Sequence, residues 1–321
     1  MSTLVQTATN PLLDQQHLTT FPFEHHHEDL VQDAQYDASG RRLATCSLDG
    51  TVRLWQVDPS GTVSFLLSLQ IPEETVPLMR VAWAPEKLGP VLAVAGHDGR
   101  VTIWKEVRPQ QWLIAKTHKF SSTGKNVFYL VNALAWRPTT TPPQLLVACS
   151  DGHVHAFEVE GQGWKLLEPI EPLSSTTSLL SLAFDAEGRI LATGASDALI
   201  RLYDASSNTE NLPFIATLQG HADWVRDLAW HPKKSLLASC SQDCRVLFWF
   251  REASSNDLSA WQLSASLTDE PFGETLWRVS WSKPGGELLA VSGGDGKVTL
   301  WGEEESTGEW KCLTSLPNQQ Q

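Results

Sequence analysis

Residues Leu43 to Trp55 read LATCSLDGTVRLW, and the same thirteen-residue pattern returns five more times in the 321-residue chain. The other copies are LAVAGHDGRVTIW (Leu92 to Trp104), LLVACSDGHVHAF (Leu145 to Phe157), LATGASDALIRLY (Leu191 to Tyr203), LASCSQDCRVLFW (Leu237 to Trp249) and LAVSGGDGKVTLW (Leu289 to Trp301). In all six an Asp stands six residues before a closing aromatic, and successive Asp residues (49, 98, 151, 197, 243, 295) lie 49, 53, 46, 46 and 52 apart. That period suits a four-stranded blade and is too long for arrays of paired helices. Each copy reads as a hairpin. Small and apolar residues alternate in its first half, and a β-branched, aromatic-ended strand closes it. Between them, Asp49-Gly50, Asp98-Gly99, Asp151-Gly152 and Asp295-Gly296 predict a type I′ turn.

Two further strands flank each hairpin. Upstream lie LVQDAQYD from Leu30, LMRVAWAP from Leu78, VNALAWRP from Val131, LLSLAF from Leu179, WVRDLAWHP from Trp224 and LWRVSWS from Leu276. Downstream, a fourth strand is clearest as QWLIA from Gln111, GWKLL from Gly163, AWQLSA from Ala260 and EWKCL from Glu309. Four strands in each of six repeats predict an all-β, six-bladed WD-repeat β-propeller over residues 24–316. Its blades fall at about 27–71, 75–117, 127–172, 177–218, 221–268 and 274–316. Residues 1–23 are expected to be a flexible extension, with one β-prone run from Ser2 to Thr7, and 317–321 a tail.

Tryptophan usage fits the same frame. Of 14 Trp, four close third strands (Trp55, Trp104, Trp249, Trp301), four lie in first strands (Trp83, Trp136, Trp230, Trp281) and four open fourth strands (Trp112, Trp164, Trp261, Trp310). All twelve are expected to pack between blades, because large aromatics dominate core burial. Trp224 and Trp277 stand outside this scheme, at the start of their first strands, where a surface contact is an equal expectation.

A formal charge of −13, from 24 basic and 37 acidic residues, argues against a nucleic-acid partner, since phosphate binding draws on Lys and Arg. No apolar run reaches membrane-spanning length and no signal peptide is evident, so any membrane association is expected to be indirect. Among the five cysteines, Cys46, Cys149 and Cys240 fall in second strands as small buried apolar groups. Cys244 replaces a turn glycine and Cys312 lies in the last strand. Free thiols suit a reducing compartment, the cytosol or nucleus.

No phosphate-binding loop, nucleophile elbow, H-E-x-x-H or paired C-x-x-C is present, so no catalytic, cofactor or metal residues are expected. His25, His26 and His27 have no neighbouring Cys to complete a zinc site and read as a solvated segment before the first strand. His27 has a structural reading besides. HEDLVQD (His27 to Asp33) and HADWVRD (His221 to Asp227) are the same element in blades one and five. They predict two hydrogen-bonded tetrads, His27, Thr45, Asp49, Trp55 and His221, Ser239, Asp243, Trp249, in which the Asp is structural and not catalytic. The other four blades lack the His and are expected to rely more on packing.

HEDLVQDAQYD with GRRLATCS, HADWVRDLAW with LASCSQD, and LWRVSWS with LAVSGGDGKVTLW and EWKCL resemble the Sec-thirteen family, over roughly Glu24 to Leu316. The likeness is specific in blades one, five and six and weaker in three and four, where Phe157 and Tyr203 replace Trp. The resemblance implies a small WD-repeat subunit of the outer COPII coat that is also a nuclear pore scaffold subunit. It implies an open propeller, completed when an α-solenoid partner inserts a strand-forming segment as a seventh blade. Such a subunit has no cofactor, and its mechanism is β-augmentation followed by stiffening of a helical rod over a curved membrane. The sixth blade owns its fourth strand, which is compatible with such a gap. On that reading the partner contacts Leu30, Val31 and Tyr36 on one side and Leu276, Trp277 and Val279 on the other. Two alternatives remain at this point: a generic WD-repeat adaptor reading peptide motifs, and the sister nucleoporin Seh-one.

Overall fold

The computed structural model describes residues 26–71, 75–121, 128–138, 140–161, 163–170, 177–206, 212–252, 257–267, 272–283, 285–304 and 307–316, together with the backbone of 2–7 and 18–23. Gln15-Gln16, Glu24, His25 and the tail 317–321 lie outside these residues. The described residues are strand and turn, with one 3-10 turn at Glu86–Leu88 and no α-helix.

Six four-stranded sheets are each built from four consecutive strands. Blade one is Val31–Tyr36, Arg42–Ser47, Thr51–Val57 and Val63–Gln70 (β3–β6). Blade two is Leu78–Trp83, Val91–Gly96, Arg100–Arg108 and Gln111–Lys119 (β7–β10). Blade three is Val131–Arg137, Gln144–Cys149, Val154–Glu160 and Gly163–Leu166 (β11–β14). Blade four is Leu179–Phe184, Ile190–Ala195, Leu199–Asp204 and Phe214–Gln219 (β15–β18). Blade five is Val225–Trp230, Leu236–Ser241, Val246–Phe250 and Gln262–Leu267 (β19–β22). Blade six is Leu276–Trp281, Leu288–Gly293, Val298–Glu303 and Trp310–Leu316 (β23–β26). Ahead of them, Ser2–Thr7 (β1) pairs antiparallel with Leu18–Phe23 (β2) in a separate two-stranded sheet, so the β-prone run is a strand whose partner comes from the same extension.

By packing, the chain divides into two compact units, Met1–Trp136 with Glu158–Lys165, and Arg137–Phe157 with Leu166–Gln321. Within the first, Ala44, Cys46, Val52 and Leu54 of blade one pack on Leu78, Val81, Trp83 and Leu92 of blade two. Within the second, one core joins blades four and five through Ile190, Ile200, Leu202, Val225, Leu237 and Trp249. Another joins blades five and six through Leu236, Phe248, Leu276, Val279, Trp281 and Trp301. Burying these apolar surfaces is the main favourable term, about 25 cal/mol per Å² removed from water.

The first-strand tryptophans add a directional bond between neighbouring blades. Trp83 Nε1 donates to Gln35 O at 3.0 Å, Trp136 to Ala82 O at 3.1 Å, Trp230 to Ala183 O at 3.0 Å and Trp281 to Ala229 O at 3.0 Å. Each ring also meets the fourth-strand Trp of its own blade edge to face: Trp83 with Trp112, Trp136 with Trp164, Trp230 with Trp261, and Trp281 with Trp310. Centroid separations of 5.2–5.9 Å suit the attraction of a ring edge to a π-face.

The hairpin turn differs from the expected type I′. Only its last residue has positive φ, as at Gly50 (79°) and Gly99 (80°), and that residue's N–H closes onto the carbonyl three residues back, as from Gly50 to Ser47. This is the type I turn followed by a left-handed residue. The Asp side chain selects it by accepting the N–H two residues on: Thr51 N to Asp49 Oδ1 at 2.8 Å, with the same bond at Asp98, Asp151, Asp197, Asp243 and Asp295. Ala198 (65°) and Cys244 (63°) hold the left-handed position in blades four and five, where a side chain is strained.

Candidate functional site

The turn Asp residues anchor each blade, and in blades one and five a longer chain is assembled on them. Trp55 Nε1 donates to Thr45 Oγ1 at 3.0 Å, Thr45 Oγ1 lies 2.8 Å from His27 Nε2, and His27 Nδ1 lies 2.9 Å from Asp49 Oδ2. Blade five repeats the chain through Trp249, Ser239, His221 and Asp243 at 2.9, 2.8 and 2.9 Å. One proton arrangement satisfies every atom. The indole donates to the hydroxyl, the hydroxyl donates to Nε2 of a neutral imidazole, and Nδ1–H donates to the carboxylate. The four residues expected in each tetrad are thus brought together, with the His side chains fully buried.

Burial alone would raise the pKa of Asp49. Bonds from the Thr51 hydroxyl and amide, His27 and the Glu28 amide outweigh it and hold the carboxyl at about 2. Asp243 is lowered in the same way: desolvation opposes, while His221 and the Ala222 amide prevail.

In blades lacking the His, the Asp finds a cation or imidazole, a feature that the expectation of greater reliance on packing did not include. Arg201 meets Asp197 with both nitrogens (3.2 and 2.5 Å), Lys119 and Arg100 flank Asp98 at 3.0 and 3.3 Å, and Lys297 lies 3.3 Å from Asp295. His155 Nε2 lies 3.0 Å from Asp151 Oδ2. Except for Lys119, which ends the fourth strand of blade two, these partners come from the third strand or the turn, so repeat register reveals them once the hairpin is drawn.

The residues expected at a partner interface separate into two groups. On blade one, Leu30 (68% exposed) and Tyr36 (39%) present surface, Val31 is half-buried, and Phe65 on the fourth strand is exposed. On blade six only Trp277 (47%) does so. Leu276 and Val279 are buried in the core shared with blade five, which corrects their expected placement at an interface. A β-bulge between Leu276 and Arg278 shifts the register and breaks simple alternation, turning both residues inward. Trp277 and Trp224 are also not independent: the Arg226 guanidinium lies 4.7 Å from one ring centroid and 4.8 Å from the other.

Tyr36 occupies the first-strand position that holds Trp83, Trp136, Trp230 and Trp281 elsewhere. Those four rings reach back to a carbonyl of the blade before them, whereas Tyr36 sits in the first blade. The opposite side of its strand faces blade two, where Asp33 Oδ2 accepts Val81 N at 3.1 Å and Gln35 Oε1 accepts Trp83 N at 2.6 Å.

Six four-stranded blades, each carrying the turn Asp and a closing aromatic, define a WD-repeat β-propeller. The family model for the WD domain, G-beta repeat, matches residues 15–56, 168–204 and 212–249. The chain is 36% identical over 313 residues to the protein transport protein sec13 of Emericella nidulans, covering 90% of this chain and 96% of that one. It is 35% identical to the protein of the same name from Cryptococcus neoformans var. neoformans (92% and 97% covered) and 36% identical to that of Yarrowia lipolytica (89% and 95%). The chain belongs to the Sec-thirteen family. It is a structural propeller protein and not an enzyme.

Proposed function

We propose that this chain is a scaffold subunit of the COPII vesicle coat, acting in transport from the endoplasmic reticulum to the Golgi, and of the Y-shaped nuclear pore subcomplex. An α-solenoid coat or nucleoporin protein completes it by inserting a strand-forming segment as a seventh blade beside blade one. The protein then works in the cytoplasm, held indirectly on the cytoplasmic face of vesicle membranes, and at the nuclear envelope. No helix among the described residues is long and apolar enough to cross a membrane, in keeping with indirect attachment.

The relatives' name, protein transport protein, supports the transport role. The observation that carries the binding mode is Tyr36. Its position serves as the backward-reaching latch in four other blades, yet in blade one it is 39% exposed. An inserted blade covers this face as blade one covers Trp83. Each blade is made of four consecutive strands, so among the described residues neither the first blade nor the last borrows a strand from the opposite end of the chain, which suits completion from outside. Affinity capture of the tagged chain tests the reading: one stoichiometric α-solenoid protein is expected, while many unrelated partners sharing a short peptide motif would contradict it.

A further inference from the structure

Blade three surrounds its turn Asp with a different chemistry from the other blades. Cys149, His153 and His155 occupy positions held by Ser47, Thr51 and Arg53 in blade one and by Ser241, Arg245 and Leu247 in blade five, and no other repeat has Cys or His at any of the three. The hairpin brings them together. Cys149 ends β12, the turn carries Asp151, and His155 is the second residue of β13. One ligand atom each from Cys149, Asp151 and His155 lies within 4.8 Å of the others. His155 Nε2 is 3.0 Å from Asp151 Oδ2, and His153 Nδ1 is 3.5 Å from the same oxygen. That His153 nitrogen is buried and makes no hydrogen bond among the described residues.

We propose that Cys149, Asp151 and His155 bind a zinc ion, with His153 or a water as the fourth ligand. A thiolate, an imidazole and a carboxylate are the mixed donors that a borderline-soft, tetrahedral ion takes, whereas calcium and magnesium require oxygen. Tetrahedral zinc with these donors sets ligand atoms about 3.3–3.8 Å apart, so side-chain rotation of roughly an ångström closes the widest edge. Binding releases the Cys149 thiol proton to solvent, and His155 presents Nε2 as the tautomer protonated at Nδ1. The His153 side chain is one-third exposed, which gives the ion a way in. The ion would tie the second strand to the third across the turn, whereas the repeat His of blades one and five ties the segment before the first strand to the second strand and the turn.

Cobalt(II), whose bond to thiolate absorbs in the near ultraviolet, reports on this site directly. The full-length protein, reduced and stripped with chelator, is titrated with cobalt and then zinc. One equivalent of cobalt is expected to bring up the thiolate charge-transfer band, and one equivalent of zinc to remove it. Cys149→Ala should abolish the band; Ala195 fills the same position in blade four, so the fold accommodates it. His155→Asn should weaken cobalt binding about tenfold or more, and His26→Ala should change neither. No band at one equivalent, or a band undiminished in Cys149→Ala, overturns the proposal. So does binding lost only in His26→Ala, which would move the ion to the N-terminal histidines. Should Cys149→Ala fail to fold, His155→Asn decides alone, and unchanged cobalt affinity refutes the site.

Discussion

Asp243 accepts from His221, the Ala222 amide and the Arg245 amide, so Asp243→Ala leaves three donors without an acceptor. The expected loss is about 2–4 kcal/mol, read by chemical denaturation; an unchanged midpoint would remove the structural role. Asp49 adds a pH signature. Its carboxyl titrates at about 2 in the fold against an ordinary 3.8, so the fold favours the ionised form. That contribution is complete above pH 4 and disappears as pH falls toward 2. Asp49→Asn should flatten this acid limb, and an identical pH profile would contradict the assignment. Ala198 bears strain at φ 65°, so Ala198→Gly should raise stability by about 0.5–1 kcal/mol, visible as a higher Tm; a lower Tm would contradict the strain. The tetrad members and the six Asp residues were legible in the sequence because they recur in register. The turn type was not, because it depends on where the Asp side chain bonds, and Asp-Gly alone permits both turns.

At the scale of strands, periodicity located the hairpins well, since alternation and the closing aromatic mark both of their strands. The facing of first strands was not legible. A bulge follows Val31, Leu78, Leu179, Val225 and Leu276. One extra residue inverts the alternation beyond it, which is why Leu276 and Val279 both turn inward. The latch formed by Trp83 crosses from one blade to the next and also lay beyond pattern reading. Trp83→Phe keeps the ring and deletes the donor to Gln35 O, so a loss of about 1–2 kcal/mol is expected, and an unchanged unfolding midpoint would show the bond to be incidental. The hairpin of β1 and β2 forms its own sheet. We propose that it is dispensable for folding: deletion of residues 1–23 should leave the cooperative unfolding transition in place, and a chain that no longer folds would make the segment part of the core.

At the scale of the whole molecule, we propose that a partner finishes the propeller. The isolated chain should therefore aggregate and become soluble on co-expression with an α-solenoid coat subunit. The most direct test is equilibrium binding of the purified chain to that subunit, comparing Tyr36→Ala and Leu30→Ala with Leu113→Ala. Leu113 serves as control because it is an exposed apolar residue on the fourth strand of blade two, away from the face of Tyr36. Truncating a buried aromatic anchor at an interface commonly costs about 2 kcal/mol or more. Tyr36→Ala should accordingly weaken the complex well over tenfold, Leu30→Ala should weaken it in the same direction, and Leu113→Ala should leave it unchanged. Equal affinities for all three variants would place the interface elsewhere and contradict insertion beside blade one.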